Sequence, residues 1–198
     1  MVDSDRQGRS GEFLLSDNDL PKESKLFLLA QAIASGTPAF FEIKGPGIGD
    51  NASNVFMNQL RTAARRLFRQ DYSERRVCGY AKFAFDFYFP DEATAVEVAL
   101  SLRNPSSEYE RDIFKCLLAI DTGCEIRQLV FITKPGGHYR QQVAGASAIA
   151  GYVERKFGIN IEIRELCDAA LDVATAVEYV ARHQVLGSLR LRKRMHTG

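Results

Sequence analysis

The chain has no tryptophan, three histidines and four cysteines in 198 residues, and no apolar run approaches the ~18 residues of a membrane span. His138, His183 and His196 are scattered, and none stands at ligand spacing from a cysteine, an aspartate or another histidine, so no zinc site is expected. Cys78, Cys116, Cys124 and Cys167 include no CxxC pair, and Cys116 and Cys167 lie in apolar helical patterns. That usage fits reduced thiols rather than a disulfide frame. The opening MVDSDRQGRSGEF lacks the apolar stretch of a signal peptide, so the expectation is a cytoplasmic protein with no membrane partner. Ser147 sits in Gly-Ala-Ser-Ala, which misses the G-x-S-x-G elbow of a hydrolase triad. Charge of one sign is lacking too. Twenty-six basic against 25 acidic residues give +1, which neither demands nor excludes a nucleic-acid partner.

What is present suits one globular domain: 45% hydrophobic and 26% charged residues, with no repeat and no Ser/Pro-rich linker. The expected organisation is a polar segment at 1–20, a single domain at 21–186, and a basic tail at 187–198. Helices are expected over 24–35, from Asp50, Asn51 or Ser53 to about 70, over 106–120 ending at Gly123, over 141–157 and over 168–183. Strands are expected at 39–44, 79–89, 93–102, 127–133 and 159–165. The reading is an α/β fold with a mixed sheet of about five strands flanked by helices.

The informative stretch is KFAFDFYFPDEATAVEVALS, residues 82–101. A hairpin centred on Asp91-Glu92 sets Asp86 opposite Glu97, Ala84 opposite Ala99, and Tyr88 opposite Ala95. Period-two alternation puts these six on one face and Phe83, Phe85, Phe87, Phe89, Val96 and Val98 on the core face. Two carboxylates ~5 Å apart repel. Either a cation fills the gap, a hard divalent metal best of all, or one carboxyl stays protonated. A one-residue slip would part them altogether.

An aspartate ending one strand, a turn, and an apolar strand carrying Glu97-Val98-Ala99 resemble the PD-(D/E)XK nuclease superfamily. Asn104-Pro105-Ser106-Ser107-Glu108-Tyr109-Glu110-Arg111-Asp112-Ile113-Phe114-Lys115 then leads through Leu117-Leu118-Ala119 to the strand LVFIT and Lys134-Pro135-Gly136. This order is similar to type II restriction endonucleases of the Bam/Bgl branch, over about residues 54–165. The resemblance implies a restriction-endonuclease-like three-layer fold and a homodimer that binds DNA and hydrolyses phosphodiester bonds with Mg²⁺ or Mn²⁺. It implies Asp86 and Glu97 as metal ligands, with the Val98 carbonyl as a third. Ala99 stands where the superfamily usually has lysine. Two residues are candidates for the missing role: Lys82, on the strand face of Asp86, and Lys115, on the following helix, where a salt bridge to Asp112 or plain surface exposure is the alternative. Glu110 and Asp112 are weaker acidic helpers. The alternative is a nuclease-fold protein that lost catalysis and kept nucleic-acid binding or an interaction role.

Asn58, Arg61, Arg65 and Arg69 recur at near-helical spacing, with Arg66 alongside, a row suited either to phosphate contacts or to a solvated helix face. Lys134 ends a strand near the expected cleft, as do His138 and Arg140, and Arg190, Arg192, Lys193 and Arg194 make the tail basic. Gly47-Ile48-Gly49-Asp50-Asn51-Ala52 fits G-x-G-x-x-A. The strand before it carries Glu42 and Lys44, however, and no acidic residue ends a second strand downstream, so a dinucleotide site is set aside.

Overall fold

Two apolar runs separated by Pro90-Asp91-Glu92 fold back on each other because proline fixes the turn's first residue and Ala93, at φ 50°, completes the reversal. They form strands β2 (Phe85–Phe89) and β3 (Thr94–Glu97), paired antiparallel as Phe87 with Val96, Tyr88 with Ala95 and Phe89 with Thr94. This is the register expected from the sequence. The computed structural model describes residues 20–37, 40–41, 51–79, 82–102 and 108–167. The expected loop at 45–49, the stretch 103–107, the helix at 168–183 and both terminal segments lie outside the described residues.

Ahead of the hairpin come α1 (Lys22–Ser35), α2 (Asn51–Phe68) and β1 (Ser73–Arg75). After it come α3 (Glu108–Asp121), β4 (Gln128–Thr133), the short α4 (Tyr139–Gln142), α5 (Ala144–Phe157) and β5 (Asn160–Glu165). The sheet order is β1-β2-β3-β4-β5. The first three strands are antiparallel, whereas β3, β4 and β5 run parallel. Parallel neighbours need crossover connections, and α3 and the α4–α5 segment supply them.

Helices cover both faces of this mixed sheet. On one face Leu26, Leu29 and Ile33 of α1 and Phe56, Leu60 and Ala64 of α2 pack with Phe87, Phe89, Val96, Val130 and Ile132. On the other face Tyr109, Ile113, Cys116 and Ala119 of α3 and Ala146 and Val153 of α5 pack with Tyr88, Ala95, Leu129 and Phe131. The acidic turn also has an anchoring role. Both carboxylate oxygens of Glu92 accept the Lys22 amide, at 3.1 and 2.9 Å, which satisfies an otherwise unpaired donor at the start of α1.

Several expectations need correction. Strand pairing is confined to residues 85–89 and 94–97, shorter than the 79–89 and 93–102 read from apolar character. Phe83 is exposed, and Phe85 packs with Tyr88 rather than with Phe87 and Phe89. The small alanines flanking the carboxylate pair are expected to leave open space beside it, but Ala95 and Ala99 are buried in the cluster that α3 packs into. The helix expected over 141–157 breaks at Val143, whose ψ of 124° is extended. Phe40 and Phe41, the described part of the strand expected at 39–44, are not in a strand. The fifth strand is instead β1, three polar residues with little burial.

The turn after β4 is held tightly. A Cβ on Gly137 would clash with Cγ2 of Thr133, which is fully buried. Gly137→Ala is therefore expected to cost about 1–3 kcal/mol, seen as a lowered urea midpoint. An unchanged midpoint would show that this turn yields freely.

Candidate functional site

The helix α3 buries the wrong residues for an ordinary amphipathic helix. Its apolar stripe of Tyr109, Ile113, Cys116 and Ala119 is interrupted by Asp112 and Lys115, only 3% and 7% exposed, while Phe114 is 54% exposed. The sequence pattern puts Phe114 in the core; the structure puts a carboxylate and an ammonium there instead. Charged side chains are almost never this deep unless paired. Here the pairing comes from the sheet.

Lys115 Nζ donates to Glu97 Oε1 at 2.8 Å and to the Ala84 carbonyl at 3.1 Å, and it ion-pairs with Asp112 Oδ1 at 2.8 Å. Glu97 ends β3 and is 5% exposed. The ladder ends at Phe87 with Val96, one residue short of Asp86 and Glu97, and Asp86 is near enough to act on the Glu97 carboxyl. Asp86 Oδ2 accepts the Val98 amide at 2.8 Å, so its side chain takes over where the backbone ladder stops. Its Oδ1 lies 3.4 Å from Arg61 Nη2, and Arg61 Nη2 also contacts Glu74 Oε1.

The electrostatics follow from crowding. Burial pushes the Glu97 carboxyl well above the usual carboxylate range, and Asp86 and Asp112 push it further; only Lys115 opposes them. Burial also raises Asp86, against the Val98 amide and Arg61. For Lys115, burial pulls the ammonium down, but Glu97 and Asp112 outweigh it and the pKa ends above the ordinary lysine value. Asp86, Glu97, Asp112 and Glu74 are thus linked pairwise through three cations, Lys115, Arg61 and Arg111.

Because Asp86 and Glu97 have raised pKa values when folded, the stability associated with their neutral forms is full below the ordinary carboxylate range. It is lost as the pH rises through the raised values. Asp86→Asn keeps an acceptor for the Val98 amide and removes one charge. It is expected to be more stable than the wild type by up to about 1 kcal/mol near pH 7, with the advantage vanishing below about pH 4. Urea unfolding at the two pH values checks this; a variant less stable at neutral pH would show that Arg61 already neutralises Asp86 in full.

The other expected site residues divide. Val98 is half-buried beside Asp86. Lys82 is exposed, three residues ahead of β2, and no hydrogen bond or ion pair among the described residues involves it. Of the arginine row, Arg61 turns inward to Asp86 while Arg65 pairs at the surface with Asp71 at 2.6 Å. Arg69 is exposed beyond the end of α2 with φ 53°, so it does not continue the helical row. Lys134 follows β4, at the sheet end where Glu97 closes β3, with Nζ 4.6 Å from the Phe40 ring centroid. Glu110 pairs with Arg140. His138 bonds Glu165 across the turn after β4. Glu74 was not foreseen, and a three-residue polar strand offers no sequence signal for it.

Among the described residues no three His, Cys, Asp or Glu side chains form a metal-ligating group, and no helix there is long and apolar enough to cross a membrane. No family model, no curated protein and no solved structure matches this chain.

Proposed function

We propose that this protein is a Mg²⁺- or Mn²⁺-dependent DNA endonuclease of the PD-(D/E)XK type, with the restriction-endonuclease-like fold that its sequence resembles. The observation that carries the reading is the burial of Lys115 against Glu97 at the expense of Phe114. A helix that exposes a phenylalanine in order to bury a lysine on a carboxylate departs from its own pattern, and such departures cluster at functional sites. Lys115 thereby stands beside Glu97, where the resemblance calls for a lysine that Ala99 cannot supply.

The donor set fits a hard divalent cation. Asp86, Glu97 and the Val98 carbonyl are all oxygen donors, and four carboxylates (Asp86, Glu97, Asp112 and Glu74) against three cations (Lys115, Arg61 and Arg111) leave a deficit of one positive charge. Mg²⁺ is commonly held by one or two carboxylates with water and substrate phosphate completing its shell, so a third acidic side chain is not required. The bound ion would supply charge stabilisation at the phosphate and a more acidic water. Within that site Lys115 would orient Glu97, its three N–H groups being taken up by Glu97, the Ala84 carbonyl and Asp112. Lys82, exposed and with no hydrogen bond or ion pair among the described residues, is the weaker candidate for that role.

Lys134, Arg65 and Arg69 are proposed to contact DNA phosphates, which orient a duplex without reading its sequence. Cutting both strands needs two such centres, so a homodimer belongs to the same reading. Supercoiled plasmid incubated with Mg²⁺ or Mn²⁺ tests the activity. Nicking that EDTA abolishes supports it. Intact single- and double-stranded DNA under both metals would leave the alternative, a nuclease-fold module that binds without cutting.

A further inference from the structure

Arg61 departs from its helix in a way the nuclease reading does not require. Leu60 and Ala64 bury the adjoining stripe of α2 under the sheet, which brings Arg61 to the rim of the carboxylate pair. There a single nitrogen, Nη2, is shared between Asp86 Oδ1 at 3.4 Å and Glu74 Oε1. Nε is buried with no acceptor among the described residues, an arrangement that costs a guanidinium part of its hydrogen bonding. Glu74 reaches Arg61 from a residue at φ 51°, a conformation that an L-residue with a long side chain rarely adopts. A strained backbone thus holds a carboxylate that holds an arginine against Asp86.

We infer that Arg61 is a resident counter-cation for Asp86, held by Glu74, which a divalent cation must displace before the site is loaded. The inference rests on the metal-site reading and adds its regulation. Two cations cannot both sit on Asp86 Oδ1 without repulsion, so metal binding and the Arg61–Asp86 contact are mutually exclusive. Linkage makes the effect reciprocal: whatever Arg61 contributes to the metal-free protein is subtracted from metal affinity. Once released, Arg61 has its full donor set, including the unsatisfied Nε, free for a phosphate oxygen at the same rim.

The test is Mn²⁺ binding, read as free Mn²⁺ by electron paramagnetic resonance, in the wild type, Arg61→Gln and Asp86→Asn. Arg61→Gln is expected to bind Mn²⁺ roughly tenfold more tightly than the wild type. It should also show a lower melting temperature without metal, recovered when Mn²⁺ is added, and Asp86→Asn should bind none. A purely structural arginine would lower the melting temperature without tightening Mn²⁺. Equal or weaker Mn²⁺ binding by a folded Arg61→Gln overturns the displacement and leaves the metal site standing. No binding by the folded wild type overturns both. If Arg61→Gln does not fold, the wild type decides: the Arg61 Nε–H resonance, assigned by its loss in Arg61→Lys, should move on Mg²⁺ addition and return with EDTA. A resonance unmoved at saturating Mg²⁺ overturns the inference.

Discussion

Glu97→Gln is expected to lower metal-dependent DNA cleavage by about 10³-fold while leaving the protein folded. The substitution is close to isosteric, and the glutamine carbonyl can still accept the Lys115 ammonium that now sits 2.8 Å from Glu97 Oε1. What it removes is the charge. With it go one of the two proposed carboxylate ligands and a group that helps set the position of Lys115. Burial and the neighbouring Asp86 and Asp112 already disfavour the ionised form of Glu97, so the neutral amide relieves the fold rather than straining it. Activity and stability should therefore move in opposite directions, as expected where function sits at a site that is costly to fold. A single-turnover cleavage assay beside urea unfolding reads both. Glu97→Gln cutting within tenfold of the wild type would mean that this carboxylate is structural.

Lys115→Met is expected to destabilise the protein by about 3–5 kcal/mol. The magnitude comes from what remains: Glu97 and Asp112, each at most 5% exposed, with their shared cation gone. The Ala84 carbonyl also loses its donor. In the wild type the Lys115 contribution is present in full below the ordinary lysine range and is lost only as pH climbs through its raised value, so alkali should mimic the mutation. At acid pH a second titration enters: Glu97 accepts a proton, one stranded charge disappears, and the loss in Lys115→Met should shrink. Adding Glu97→Gln to Lys115→Met should recover part of the lost stability, because it removes one of the stranded charges. That recovery, measured as a double-mutant cycle by urea unfolding, separates an electrostatic account from one in which Lys115 merely fills space. Additive losses would contradict it.

The hairpin was legible because its signals agree. Pro90-Asp91-Glu92 marks the turn, uninterrupted runs flank it, and the register this implies is the one that pairs Phe87 with Val96, Tyr88 with Ala95 and Phe89 with Thr94. The sheet and its helical layers follow from apolar runs long enough to need covering. Hydrophobic pattern alone assigns Phe114 of α3 inward, whereas in the structure Phe114 is exposed and Lys115 is buried against Glu97. Strand β1 carries almost no signal, being three polar residues held by backbone pairing at the sheet edge. Glu74 and the inward turn of Arg61 depend on that strand, so they stayed hidden with it. The arginine row at 58–69 shows the converse: spacing placed the residues on a helix, and only tertiary contact distinguished Arg61 from Arg65.

Crystals grown with Mn²⁺ and measured at the manganese absorption edge test the central claim most directly. The account predicts an anomalous peak between the carboxylates of Asp86 and Glu97, with Lys115 still bonded to Glu97. No peak there at saturating Mn²⁺, with both carboxylates ordered, would contradict it.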